Sequence, residues 1–159
     1  MSDDARGTPD NPGVIAPPPL IYAGALLLGL LANRLSPIPF LPRFLSRALG
    51  WPLVLSGLAI GALGLRELRR AGTNVDPYRP ATAIVTEGPY RFTRNPLYVG
   101  MTLIYGGVTA RANALPAALL LPPVLHLMRR GVIEREERYL ERKFGDEYLS
   151  YKARVRRWV

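Results

Sequence analysis

The sequence predicts an all-α integral membrane protein with four transmembrane helices and a cytosolic, amphipathic C-terminal helix. Of its 159 residues 48% are hydrophobic, and they cluster in four windows free of Asp, Glu, Lys and Arg, at 14–32, 48–65, 95–110 and 112–128. A soluble four-helix bundle would show a polar face on each helix at a period of 3.6 residues, and these windows show almost none. The windows are slightly short for a span of about 20 residues, so flanking arginines must snorkel towards the headgroups.

The first two spans are expected at about 19–33 and 48–68, after a disordered tail at 1–13 that precedes a single domain at 14–159. Proline near the start of the first window places its helix start around Pro19. The second window starts at an interfacial Trp-Pro pair and carries Gly57 and Gly61, a small-residue face expected to pack against the first span. This helix is predicted to run into the cytosol and to stop before Gly72.

The third and fourth spans are expected at about 95–111 and 112–129. Asn is a preferred N-cap and Pro a preferred first helical residue, so Asn95-Pro96 predicts the start of the third helix. The free N–H groups of such a helix start could bind a carboxylate or phosphate. In the fourth span, Pro122-Pro123 predicts a break or bend.

The charge distribution predicts the orientation. Nineteen of the 21 basic residues are Arg, and the formal net charge is +9. Only Arg34, Arg43, Arg47 and Arg111 lie in the two loops on one side of the predicted spans, so the positive-inside rule places both termini in the cytoplasm. Basic residues beside apolar windows favour anionic lipids over nucleic acid as partners.

The C-terminal part, 131–159, is predicted to be helical and cytosolic. Glu137 falls on the apolar stripe between Ile133 and Leu140, and Glu136 lies beside it. A carboxylate there is costly unless a cation meets it, and the candidate partners are Arg91, Arg94 or a bound cationic ligand. Cysteine is absent and there is one His, so no metal site is expected.

Two blocks of this sequence resemble one family. The blocks are Val85, Gly88-Pro89-Tyr90-Arg91, Arg94-Asn95-Pro96 and Tyr98-Val99-Gly100, and then Glu136-Glu137-Arg138-Tyr139-Leu140, Phe144-Gly145, Tyr148, Tyr151 and Val155. They resemble the membrane methyltransferases that include isoprenylcysteine carboxyl methyltransferase and the phospholipid methyltransferases. That family uses S-adenosylmethionine and methylates hydrophobic acceptors without a Rossmann fold.

The resemblance implies a site. The resemblance implies cofactor contacts at Ala83, Ile84, Val85, Tyr90, Arg94, Asn95, Glu136 and Glu137. Tyr98 is a further candidate, because its aromatic face suits a cation or adenine. Arg94 and Glu137 are also the candidate catalytic residues. Taken alone, the β-prone run at 83–86 could equally be a surface crossover. The isoprenylcysteine branch has His at the positions of Asn95 and Thr82 and Arg at Val132, so a prenylcysteine acceptor is not expected.

The expected function is therefore S-adenosylmethionine-dependent methylation of a lipid-like or small hydrophobic acceptor at the cytosolic face of a bacterial inner membrane. The alternative is a non-enzymatic membrane scaffold whose basic C-terminal run, 154–158, lies along the membrane and binds anionic lipid or a partner. A small transporter, suggested by the Pro122-Pro123 break, is a weaker alternative, because the sequence lacks an inverted repeat and charged residues in the middle of the spans.

Overall fold

The computed structural model describes residues 10–159, and every regular element in this range is a helix. The helices are α1 (Pro18–Leu35), α2 (Arg43–Arg70), α3 (Pro96–Ala112), α4 (Leu115–Met128), α5 (Glu134–Phe144) and α6 (Asp146–Arg154), with a 3-10 turn at Gly88–Arg91 and a π-helical turn at Arg129–Ile133. No β-strand occurs within 10–159, so the β-prone run at 83–86 is an irregular segment.

Two helices, α1 and α2, are long and apolar enough to cross a membrane, where the sequence predicted four such spans. The α3 helix has 17 residues and α4 has 14. At 1.5 Å per residue these are about 26 and 21 Å long, shorter than the roughly 30 Å hydrocarbon core of a bilayer. The predicted third and fourth spans therefore exist as apolar helices, but not as helices of full span length.

The α2 helix packs along α3, and the glycines of α2 make the contact close. A Cβ added to Gly57 would lie 2.5 Å from the carbonyl oxygen of Gly100, and one added to Gly107 would lie 2.7 Å from that of Gly50. The prediction that this small-residue face packs on α1 was wrong, because α1 packs mainly on α4. Small residues permit close approach to any helix, and the sequence does not say which one.

Aromatic packing joins α1, α3 and α4. The rings of Tyr22 and Tyr105 meet edge-on with their centroids 6.3 Å apart. The Tyr105 hydroxyl, fully buried, donates to the carbonyl of Ala117 over 2.8 Å. These contacts hold the apolar half of the molecule together and fix α3 as the element that reaches from this core to the site.

The chain from α4 to α5 is irregular at the π-helical turn and not at the prolines. Pro122 and Pro123 lie inside α4, which continues to Met128, so the predicted break does not occur. The turn that follows buries Val132 and Ile133 completely. Gly145, with φ +53°, then separates α5 from α6, so the predicted single C-terminal helix is two helices.

Both ends of the described chain return to α5 and the start of α3. Residues 10–13, predicted as part of a disordered tail, lie against α5, where Lys143 Nζ donates to Asp10 Oδ1 over 2.8 Å. Residues 1–9 of that predicted tail lie outside the described part. In the C-terminal run, Trp158 packs against the core. The Arg94 N–H donates to the carbonyl of Arg156 over 2.9 Å.

Candidate active site

A cavity of about 160 Å³ lies between the loop after α2, the start of α3, and the helices α5 and α6. It brings together every residue that the sequence and the resemblance placed at the site. Those residues are Ala83, Ile84, Val85, Tyr90, Arg94, Asn95, Tyr98, Glu136 and Glu137. The segment 83–85 is half-buried and lines the cavity within the crossover from α2 to α3.

Asn95 occupies the N-cap position of α3, but its side chain does not cap the helix. Its Nδ2 donates instead to the carbonyl of Arg157 over 2.8 Å. The Asn95 carbonyl accepts from the N–H groups of Tyr98 and Val99, both over 3.0 Å, as the first helical acceptor. The helix thus starts where predicted, while the amide ties the C-terminal run to the cavity wall.

Arg94 is the buried cation of the cavity. Its side chain is 9% exposed, and its Nη1 lies 3.1 Å from Glu137 Oε1. That pair is at ion-pair distance but is not aligned for a hydrogen bond, and within residues 10–159 Arg94 Nε and Nη1 have no hydrogen-bond partner. Leaving the N–H groups of a buried guanidinium unsatisfied is costly. Arg94 is therefore suited to receive an anionic group that enters the cavity.

Glu137 has both carboxylate oxygens occupied by Arg157. Arg157 Nε donates to Oε1 over 3.0 Å and Nη2 donates to Oε2 over 2.6 Å, a bidentate pair. The sequence offered Arg91, Arg94 or a ligand as the partner of this buried carboxylate. Within residues 10–159 its salt bridges are with Arg94 and Arg157, so Arg157 was missed and Arg91 is not a partner. The only available signal was the basic C-terminal run, which predicts a lipid surface equally well.

Glu136 is the carboxylate that remains available to the cavity. Its Oε1 accepts from the Tyr98 hydroxyl over 2.7 Å. Burial raises the pKa of Glu136 to about 7, with the neighbouring Glu137 charge adding to the rise and the Tyr98 hydrogen bond opposing it. No arginine or lysine of the described chain forms a salt bridge with it, in contrast to Glu137. Glu136 is thus an incompletely compensated carboxylate facing the cavity.

Tyrosines line the cavity near the N-terminal end of α3. The hydroxyl of Tyr151 donates to the carbonyl of Tyr90 over 2.8 Å, and this ties α6 to the 3-10 turn. Tyr148 is 2% exposed, and burial raises its pKa to about 12, so it remains a neutral hydrogen-bond donor. Tyr139 accepts from the Ala81 N–H over 3.1 Å and thereby anchors the loop that carries 83–85. None of these three tyrosines was among the predicted site residues, although each lies in the motifs of the resemblance.

His126 lies away from this cavity, in a separate groove with Thr102, Leu125, Arg129 and Trp158. Within residues 10–159 there is no group of three or more His, Asp or Glu side chains that could hold a metal ion.

The family model described as "Phospholipid methyltransferase" matches residues 45–147, which run from α2 to the start of α6. The match contains all nine predicted site residues. Arg157, the bidentate partner of Glu137, lies beyond its end.

Three curated bacterial proteins are similar to parts of the chain. An uncharacterized protein of Haemophilus influenzae is 70% identical over 27 residues, which are 17% of this chain and 43% of that protein. The nickel-cobalt-cadmium resistance protein NccN of Alcaligenes xylosoxydans xylosoxydans is 36% identical over 77 residues, 48% of this chain and 36% of NccN. The cobalt-zinc-cadmium resistance protein CzcN of Cupriavidus metallidurans is also 36% identical over 77 residues, 35% of its own length. The chain thus matches less than half the length of each of these relatives. No solved structure matches the chain.

Proposed function

Because the chain belongs to the phospholipid methyltransferase family of membrane methyltransferases, we propose that it transfers the methyl group of S-adenosylmethionine to a lipid-like or small hydrophobic acceptor. The acceptor would be methylated at the cytosolic face of a bacterial inner membrane. The transfer is an in-line displacement: a lone pair of the acceptor attacks the methyl carbon, the C–S bond breaks, and an amine, thiol or acid acceptor gives its proton to water or a nearby carboxylate. The protein's part is to align the two substrates and exclude water.

The observation that carries this proposal is that Arg94 and Glu136 line the same cavity without forming an ion pair with each other. Arg94 Nε and Nη1, which have no hydrogen-bond partner within residues 10–159, suit the carboxylate of an amino acid. Glu136 suits its ammonium group or a pair of ribose hydroxyls, and the apolar segment 83–85 suits a purine ring. S-adenosylmethionine carries all of these groups, so the residues present fit the donor.

The cationic sulfonium of S-adenosylmethionine would account for the Glu136 carboxylate, which lines the cavity without a salt bridge from residues 10–159. Burying an uncompensated carboxylate costs free energy, as the raised pKa of Glu136 reflects. A bound cation would offset that cost. The aromatic ring of Tyr90, 8% exposed at the cavity wall, could add a favourable face for the positive charge.

The acceptor's class is proposed from the apolar surface of α1 and α2. Leu20, Leu27 and Leu28 of α1 and Leu55 and Leu58 of α2 are each more than half exposed. Apolar surface of this extent would be unfavourable in water and is suited to lipid. An acceptor dissolved in the membrane would therefore reach the protein along this apolar surface.

For the topology we propose that the shorter helices α3 and α4 share the bilayer with α2 and α1, and that both termini are cytoplasmic. The arginines predicted on the non-cytoplasmic side include Arg43 and Arg47, which lie at the start of α2. The cavity, with Arg94 and the loop after α2, lies near the other end of α2, at Leu68. The proposed donor site would then lie on the arginine-rich side, which the positive-inside rule predicts to be cytoplasmic.

The proposal is tested by titrating purified protein with S-adenosylhomocysteine, the demethylated product, in a calorimeter. We expect binding by the wild type and a loss of at least about tenfold in affinity for Arg94→Lys, because lysine cannot present two parallel N–H groups to a carboxylate. Arg142→Lys is the matched control, since Arg142 is exposed on α5. A folded wild type that gives no heat with either the product or the donor would contradict the proposal.

The acceptor is identified by incubating the protein with donor carrying an isotopically labelled methyl group and a membrane extract. Mass spectrometry of the extract should show a labelled hydrophobic compound with the wild type and none with Arg94→Lys. Label found only in proteins or in water-soluble compounds would contradict the proposed acceptor class.

A further inference from the structure

Residues 155–158, which follow α6, form a strap across the N-terminal end of α3. Its backbone carbonyls accept hydrogen bonds from the side chains of Asn95 and Thr93, over 2.8 and 3.1 Å, at Arg157, and from the Arg94 N–H at Arg156. Trp158 at the end of the strap packs against the hydrophobic core. The strap is therefore fixed to the wall of the cavity by its backbone as well as by its side chains.

Arg157 is the side chain through which the strap reaches the cavity. Its bidentate pair fixes both oxygens of Glu137. Glu137 Oε1 in turn lies 3.1 Å from Arg94 Nη1, with the side chains of Arg94 and Glu137 only 9% and 7% exposed. The three charged groups thus form a series of contacts from Arg157 through Glu137 to Arg94. The series ends at Arg94 Nε and Nη1, which have no hydrogen-bond partner within residues 10–159.

We infer that Arg157 is a positioning residue for the donor: by occupying both oxygens of Glu137, it keeps the Arg94 guanidinium turned towards the cavity, where it receives the carboxylate of the donor's amino-acid group. The inference rests on the proposed function. It also gives Glu137 an indirect role, since its oxygens serve the arginines and leave Glu136 to contact the ligand.

Removing Arg157 should misdirect Arg94. Glu137 would then be a buried carboxylate with Arg94 as its remaining close cation. The favourable response is for Arg94 to align its N–H groups with Glu137 and satisfy the buried charge, because a bidentate pair is stronger than a single misaligned contact. Those N–H groups would no longer face the cavity.

The test compares two ligands that share the adenosine part and differ in the carboxylate. S-adenosylhomocysteine carries the amino-acid group, whereas methylthioadenosine lacks it. We expect Arg157→Ala to weaken S-adenosylhomocysteine binding at least about tenfold and to change methylthioadenosine binding by less than about twofold. Arg157→Lys keeps the charge without the planar donor pair, so its loss should be intermediate and also confined to S-adenosylhomocysteine.

The control is Arg154→Ala, which removes the same charge one residue before the strap, from an exposed side chain that bonds within α6. If Arg157→Ala or Arg157→Lys weakened both ligands equally, Arg157 would serve the fold of the cavity as a whole, and the inference would be overturned. Unchanged binding of both ligands would overturn it as well. A wild type that bound neither ligand would overturn the proposed function and the inference with it, whereas wild-type binding with an insensitive Arg157 would overturn the inference alone.

Discussion

Replacing Glu136 by Gln should make the protein more stable at alkaline pH and less able to bind its ligand. The side chain keeps its size and its contact with the Tyr98 hydroxyl, but it loses the charge. Since burial opposes that charge, the folded state should benefit from its removal. A cationic ligand, which the charge would attract, should bind more weakly.

The size of the stability effect follows from the pKa. A pKa raised from 4.5 to about 7 in the folded state corresponds to at most about 3 kcal/mol of unfolding free energy at pH 8. Below pH 4.5 the carboxyl is protonated in both states and costs nothing. Between pH 4.5 and 7 the folded state binds more protons than the unfolded state, so the wild type loses stability as the pH rises, and above pH 7 the full cost is present.

Thermal unfolding of wild type and Glu136→Gln at several pH values measures this difference. At pH 8 the variant should melt higher by up to about 8 °C, and near pH 4.5 the two curves should coincide. Comparing the two proteins at each pH cancels the other titrating groups. A difference in melting temperature that did not change between pH 4.5 and pH 8 would refute the reasoning.

Ligand binding gives an independent measure of the same group. If the donor's positive charge ionises Glu136 on binding, about half a proton should be released per ligand at pH 7 and about a tenth at pH 8. Calorimetry in buffers with different ionisation enthalpies measures this release. Glu136→Gln should release no proton, and equal release by both proteins would show that another group titrates.

Two further predictions follow from individual contacts. Tyr98→Phe removes the hydroxyl that lowers the pKa of Glu136, so the pH range of proton release on ligand binding should move upward, which the same calorimetric series would detect. Gly57→Ala should destabilise the protein by about 2 kcal/mol, because the new methyl would lie 2.5 Å from the Gly100 carbonyl oxygen, as checked by thermal unfolding. Gly61→Ala, with no atom within 4 Å of the added methyl, is its control, and equal losses from the two variants would contradict the packing described for α2.

The sequence alone predicted much of the helical framework, because its signals are local. Charge-free windows, the Asn95-Pro96 start and the stop before Gly72 depend on neighbouring residues, and the helices lie close to the predicted ranges. The number of full-length spans was overestimated, because hydropathy reports apolar composition and not where a helix ends. The predicted site residues did converge on one cavity, but their chemical roles at that cavity remain predictions.

Pairings between distant parts of the chain were decided only by the tertiary structure. Gly57 and Gly61 lie one helical turn apart, yet a methyl added to Gly57 would collide with the backbone of α3 and one added to Gly61 would enter open space. Glu136 and Glu137 are adjacent and identical in type, yet one lies beside a tyrosine hydroxyl and the other is held by Arg157, twenty residues on. The spacing of apolar residues in the sequence predicts which face of a helix a residue occupies. Which partner meets that face depends on how the whole chain packs, and that is why the contacts of these residues became known only with the fold.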